Sequence, residues 1–139
     1  MVHNVFYAGC SYPVGALSDR LGRRGLLVAG YAAGALAALG FGAAFEWRLA
    51  SPACLVLLFA VAGFSAAAVD SLEGAITADC VTDKLRGTAY GVIGLVNGLG
   101  DLVASVVVGG LWTLVSPAYA FAYAAVAMAL GATLLAAVR

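Results

Sequence analysis

Along this chain the charged side chains gather in three short clusters, and the stretches between them are almost wholly apolar. The clusters are SDRLGRR at residues 18–24, EWRLASP at 46–52 and DCVTDKLRG at 79–87. A weaker break falls at Ser116-Pro117, where the proline ring removes a backbone donor and disfavours helix in the residue before it. These breaks predict five helical segments, near residues 2–17, 25–46, 53–79, 87–113 and 117–138. A membrane span takes about 20 consecutive apolar residues, a length the last four segments reach and the first does not. Hydrocarbon tolerates no exposed backbone polar groups, so the first segment reads as the tail of a membrane helix whose outer turns are missing from this chain. The expected fold is all-α, a polytopic transmembrane helix bundle, with residues 1–139 forming one partial domain.

Composition supports the same solvent. Hydrophobic residues make up 64% of the 139 and charged residues 10%, against about 45–50% and about 25% in soluble domains. A water-soluble fold of this size has no interior large enough to hide that surface. The net charge is zero, which gives nucleic acid no basic footprint to bind. Cys10, Cys54 and Cys80 stand far apart without a CxxC, so neither a disulfide framework nor a metal site is expected. No Walker lysine accompanies the glycine-rich stretch 91–100, and no cofactor is implied. His3 has no nucleophile or carboxylate at a catalytic spacing, so an enzyme is not expected. The start of the chain lacks the basic residues and long apolar core of a secretory signal.

Charge placement sets an orientation. If the segments alternate across the bilayer, Arg20, Arg23, Arg24, Lys84, Arg86 and Arg139 fall on one side, and Arg48 alone falls on the other. The positive-inside rule puts the larger group in the cytoplasm. The amino terminus then lies outside and the carboxy terminus inside a plasma membrane. Trp47 and Trp112 fall beside the outer turns, where tryptophan anchors to the interface.

The first cluster has internal order beyond its charge. In Gly15-Ala-Leu17-Ser-Asp19-Arg20-Leu-Gly22-Arg23-Arg24-Gly-Leu-Leu27, Gly15 permits close helix approach and Gly22 a tight reversal. Asp19 is free to meet a neighbouring helix amino terminus, where a carboxylate is stabilised. This stretch resembles the loop signature of the major facilitator superfamily. The second loop, with Ala78-Asp79 followed by Arg86-Gly87-Thr-Ala-Tyr90-Gly91, is similar to the family pattern preceding helix 11, and the last segment resembles helix 12. Taken together, the resemblance covers the chain as helices 8 to 12, a partial carboxy-terminal half of the transporter fold. It implies an ion pair between Arg23 and Asp79 and an Asp19 turned toward the other half. One departure is that Gly74 stands where many relatives carry a basic residue, so substrate chemistry does not transfer.

An ionisable group near mid-bilayer costs at least about 2.5–3.5 kcal/mol on insertion scales. Asp70 and Glu73 lie three apart on one face of the third segment and are candidates for a substrate or proton pathway, as is Asp101 in the fourth. That fourth segment carries Gly87, Gly91, Gly94, Gly98, Asp101, Ser105 and Gly109 three or four residues apart, a small-residue stripe of the kind that packs membrane helices. Gly30 and Gly34 form a further GxxxG. The resemblance implies a secondary transporter moving a small solute by alternating access, and the acidic pair adds proton coupling. The expected partners are the bilayer, an amino-terminal half, and a small solute with protons. Two other readings fit the residues: a membrane scaffold docking through its glycine faces, and a non-functional transporter remnant.

Overall fold

The helices begin and end where local chemistry dictates. A computed structural model describes residues 1–48 and 51–137 of the chain. It contains α1 (Val2–Leu21), α2 (Arg23–Glu46), α3 (Pro52–Cys80), a single 3₁₀ turn (Asp83–Leu85), α4 (Arg86–Leu114) and α5 (Pro117–Ala137). Residue 138, the end of the fifth expected segment, and Arg139 lie outside the described residues. α3 starts with a side-chain cap, the Ser51 hydroxyl accepting from the Cys54 N–H at 3.2 Å, followed by Pro52 at the first helical position. Both features suit a helix amino terminus, where the first N–H groups lack partners.

The first loop is shorter than its charges suggested. Helix α1 runs on through Asp19 and Arg20 to Leu21, and Gly22 alone separates it from α2. Gly22 takes φ 90°, a left-handed conformation that glycine adopts without strain, and its N–H donates to the Ser18 carbonyl at 3.0 Å. A carboxylate and a guanidinium interrupt apolarity without interrupting helix, because neither residue disrupts the backbone ladder.

α2 is the hub of the bundle, packing along α5 on one side and α3 on the other, while α1 lies against α3. The interior is rich in alanine: Ala67 and Ala68 are fully buried, and Ala68 packs with Val14, Leu27 and Leu72. Such small side chains let backbones approach and recover packing energy that lipid cannot supply. At Gly30, an added Cβ would stand 2.8 Å from the Ala68 Cβ. There the buried Ser65 hydroxyl donates to the Gly30 carbonyl at 2.8 Å, an inter-helix bond that needs this close contact. Gly34 is likewise closed in by Met128 and Ser65.

α4 differs from the others. It touches α5 and only slightly α3, and none of its residues is buried. Among the described residues, α2, α3, α4 with its preceding turn, and α5 are each long and apolar enough to cross a membrane.

Candidate functional site

Two polar clusters interrupt this apolar bundle. The first lies at the α2 amino terminus, where the helix opens with Arg23 and Arg24 and has neither an acidic residue in its first turn nor a side-chain cap. Two cations at the positive end of a helix dipole are unfavourable by themselves. Carboxylates from other helices offset them. Arg23 pairs with Asp79 at the end of α3, donates to the Ala75 carbonyl at 2.9 Å, and lies 3.4 Å from Asp19 of α1. Arg24 turns the other way and donates to the Leu135 carbonyl near the end of α5.

Not every residue of the two loops joins this cluster. Arg20 and Leu17 are exposed, and Gly15 contributes its carbonyl as acceptor for the Ser18 hydroxyl at 2.6 Å. Arg86 pairs locally with Asp83 at 3.0 Å, and a Cβ built on Gly87 meets nothing within 4 Å. Asp19, Arg23, Arg24 and Asp79, with Cys80 and Leu135, line a cleft of about 780 Å³.

The second cluster lies inside α3. Glu73 precedes the end of α3 by seven residues, or about 10 Å, and Asp70 by ten, or about 15 Å. Although they share a helix face, the two acids bond to different neighbours. The Tyr7 hydroxyl of α1 donates to Asp70 Oδ2 at 3.0 Å. Glu73 accepts twice, from the Tyr31 hydroxyl of α2 at 2.8 Å on Oε1 and from the Asn97 amide of α4 at 3.1 Å on Oε2. Nearby, the Tyr90 hydroxyl of α4 donates to the Gly74 carbonyl at 3.0 Å. These two bonds from Asn97 and Tyr90 are the side-chain hydrogen bonds that join α4 to α3 among the described residues. Beside Glu73 and Asn97 runs a cleft of about 250 Å³, which Leu27 of α2 and Leu135 of α5 also line.

Sequence reading identified both acids but not Tyr7, Tyr31 or Asn97. Their one signal was a polar tip within an apolar helix, and nothing in spacing linked them to the acids. Asp101 is exposed and has no hydrogen-bond partner among the described residues. Ser105 is exposed, and a Cβ at Gly91, Gly94, Gly98 or Gly109 meets nothing within 4 Å. The small-residue face of α4 therefore packs against nothing within the described chain.

Comparison with known proteins accounts for this combination of signature cluster and apolar helices. The family model of the Major Facilitator Superfamily matches residues 1–139. The chain belongs to this superfamily. It is 36% identical over 126 residues to an uncharacterized MFS-type transporter of Methanocaldococcus jannaschii, an alignment covering 91% of this chain and 30% of the relative. The chain thus spans less than a third of that relative's length. No solved structure matches it. As a Major Facilitator Superfamily member with four helices of spanning length, it is a multi-pass membrane protein. The superfamily is one of transporters rather than enzymes.

Proposed function

We propose that this chain forms helices 8 to 12 of a secondary active transporter that moves a small solute by alternating access with proton coupling. The observation that supports this most is the acid pair in α3. Asp70 and Glu73 each take hydrogen bonds from a tyrosine on a different helix, 3.0 Å from Tyr7 and 2.8 Å from Tyr31. An intramembrane carboxylate is costly to keep, and here the cost is met by contacts that join four helices. Gain or loss of a proton at either acid changes which of those hydrogen bonds form. Such a change biases how the helices sit against one another.

In this reading the rest of the bundle, including an amino-terminal half, comes from other sequence. The open α4 face, with Gly91, Gly94, Gly98, Ser105 and Gly109, packs onto it, and Asp101 lies at that junction. The Arg23–Asp79 pair holds the cytoplasmic ends of α2 and α3 together. The protein sits in the plasma membrane with its amino terminus outside and its carboxy terminus in the cytoplasm.

The test has two parts. A carboxy-terminal tag at the native locus should mark a membrane product about three times heavier than this chain, as two six-helix halves require. That product, reconstituted in vesicles under a pH gradient, should take up a member of a panel of small polar solutes, and Asp70→Asn should abolish the gradient dependence. Gradient-driven uptake undiminished by Asp70→Asn removes the proton role.

A further inference from the structure

At the end of the bundle opposite the Arg23 cluster, the ends of α2 and α4 and the starts of α3 and α5 enclose a groove of about 710 Å³. Its walls are aromatic, formed by Phe41, Phe45, Trp112 and Phe121, and Glu46 and Arg48 also line it. The rings brace one another. Phe41 stacks on Phe121 at 5.8 Å between centroids, Trp112 meets Phe121 edge to face at 5.7 Å, and Phe45 lies 6.3 Å from Trp112. Such pairs hold their geometry without a ligand, so the groove is preformed.

The charges decide what fits it. Glu46 ends α2, and Arg48 follows two residues later with φ 52°, a left-handed backbone that costs a non-glycine residue energy to hold. Among the described residues neither forms an ion pair, although one is acidic and the other basic. A cationic amphiphile would meet the Arg48 guanidinium, and an anionic one the Glu46 carboxylate. A wholly apolar occupant would desolvate both charges without compensation. A head group carrying an ammonium and a phosphate satisfies each charge with its opposite. Trp112 adds a cation–π surface for the ammonium, and the apolar walls receive methylenes. A volume of about 710 Å³ lies within the usual range for a ligand pocket, about 300–1,000 Å³.

We propose that this groove binds a zwitterionic phospholipid, with Glu46 receiving the ammonium, Arg48 the phosphate, and the Phe41, Phe45, Trp112 and Phe121 rings the first part of an acyl chain. The site is separate from the α3 acids. It rests on the chain being membrane-embedded and not on the transport reading.

Delipidated full chain in detergent, offered equal amounts of phosphatidylethanolamine and phosphatidylglycerol with the same acyl chains, tests this by native mass spectrometry. The zwitterionic lipid should be retained in preference. Glu46→Gln and Arg48→Ala should each lower its retention about fivefold, the size of one interfacial charge contact, and Glu46→Gln, which removes the ammonium's partner, should leave phosphatidylglycerol retention unreduced. A second measurement does not depend on those variants folding. Trp47→Phe leaves Trp112 as the remaining tryptophan of the two in the chain, and its fluorescence should be quenched at lower mole fractions by brominated phosphatidylethanolamine than by the brominated glycerol lipid. Equal retention of the two lipids, equal quenching, or charge variants that bind as the parent does would each overturn the proposal.

Discussion

Arg24 and Leu135 stand 111 positions apart, yet the Arg24 Nε donates to the Leu135 carbonyl oxygen at 2.8 Å. Leu135 lies in the last described turn of α5, toward the negative end of the helix dipole. A residue at the start of α2 thus bonds to the α5 backbone. Its neighbour Arg23 reaches α3 and α1, so two adjacent arginines tie one helix amino terminus to three other helices.

Replacing Arg24 with alanine is expected to cost about 1 kcal/mol, the typical worth of such a hydrogen bond. Arg24→Lys should recover part of the loss. Thermal unfolding of the purified chain in detergent, followed by helical circular dichroism, checks both. A stability unchanged by Arg24→Ala would show that this bond contributes nothing.

The Arg23–Asp79 pair is partly exposed, at 30% and 62% of the two side chains, and so is open to screening by salt. Arg23→Asp and Asp79→Arg are each expected to lower the melting temperature at low ionic strength. The double reversal should restore part of it, and the differences should shrink in high salt. Additive losses in the double variant would mean that the two charges are not coupled.

Glu73 joins α2 to α4 through α3, accepting from Tyr31 and Asn97. Glu73→Ala leaves two donors without an acceptor and should cost about 1–3 kcal/mol. Glu73→Gln, which keeps a carbonyl oxygen, should cost less. A disulfide cross-link between cysteines introduced into α3 and α4 should form more slowly in Glu73→Ala than in the parent chain. Equal rates would show that α4 stays docked without the carboxylate.

Glycines of α2 and α4 should respond differently to the same change. Gly30→Val drives a side chain into Ala68, and overpacking of this kind costs about 1–3 kcal/mol. A Cβ built on Gly94 meets nothing within 4 Å, so Gly94→Val should leave the stability of this chain unaltered. In the assembled transporter, Gly94→Val should weaken association with the remaining helices, measured by co-purification. Loss of stability from Gly94→Val in the chain alone would place a partner on α4 that the structure does not contain.

Cys80 is exposed at the Arg23 end of α3, whereas Cys10 and Cys54 are half-buried. With Cys10 and Cys54 replaced by alanine, an impermeant thiol reagent should label Cys80 in inside-out vesicles and not in intact cells. Labelling in intact cells would reverse the proposed orientation.

What could be read from the residues was whatever depends on short range. Apolar runs of about 20 residues have to be helical in lipid, since only the helix satisfies its own backbone groups locally. α2 to α5 accordingly begin and end within two residues of the expected bounds over the described residues. The signature at residues 15–27 carried the family for the same reason, being a contiguous string. The exception was the first break, where charge imitated a loop and the backbone continued as helix to Leu21.

Membrane residence, helix number and family membership were determined by the sequence alone, because each is written in segments a few turns long. The tertiary structure decided which polar groups meet. Asp70 finds Tyr7 across 63 positions, Glu73 finds Tyr31 across 42 and Asn97 across 24, and Arg24 finds Leu135 across 111. Asp70 and Glu73 share a face by helical period, yet they answer to different helices because the order and rotation of neighbours, set by alanine and glycine packing, choose the partner. No local periodicity encodes that choice; it arises from how closely α2 approaches α3 at Gly30 and Ala68, and from which side of α3 is left for α1 and α4.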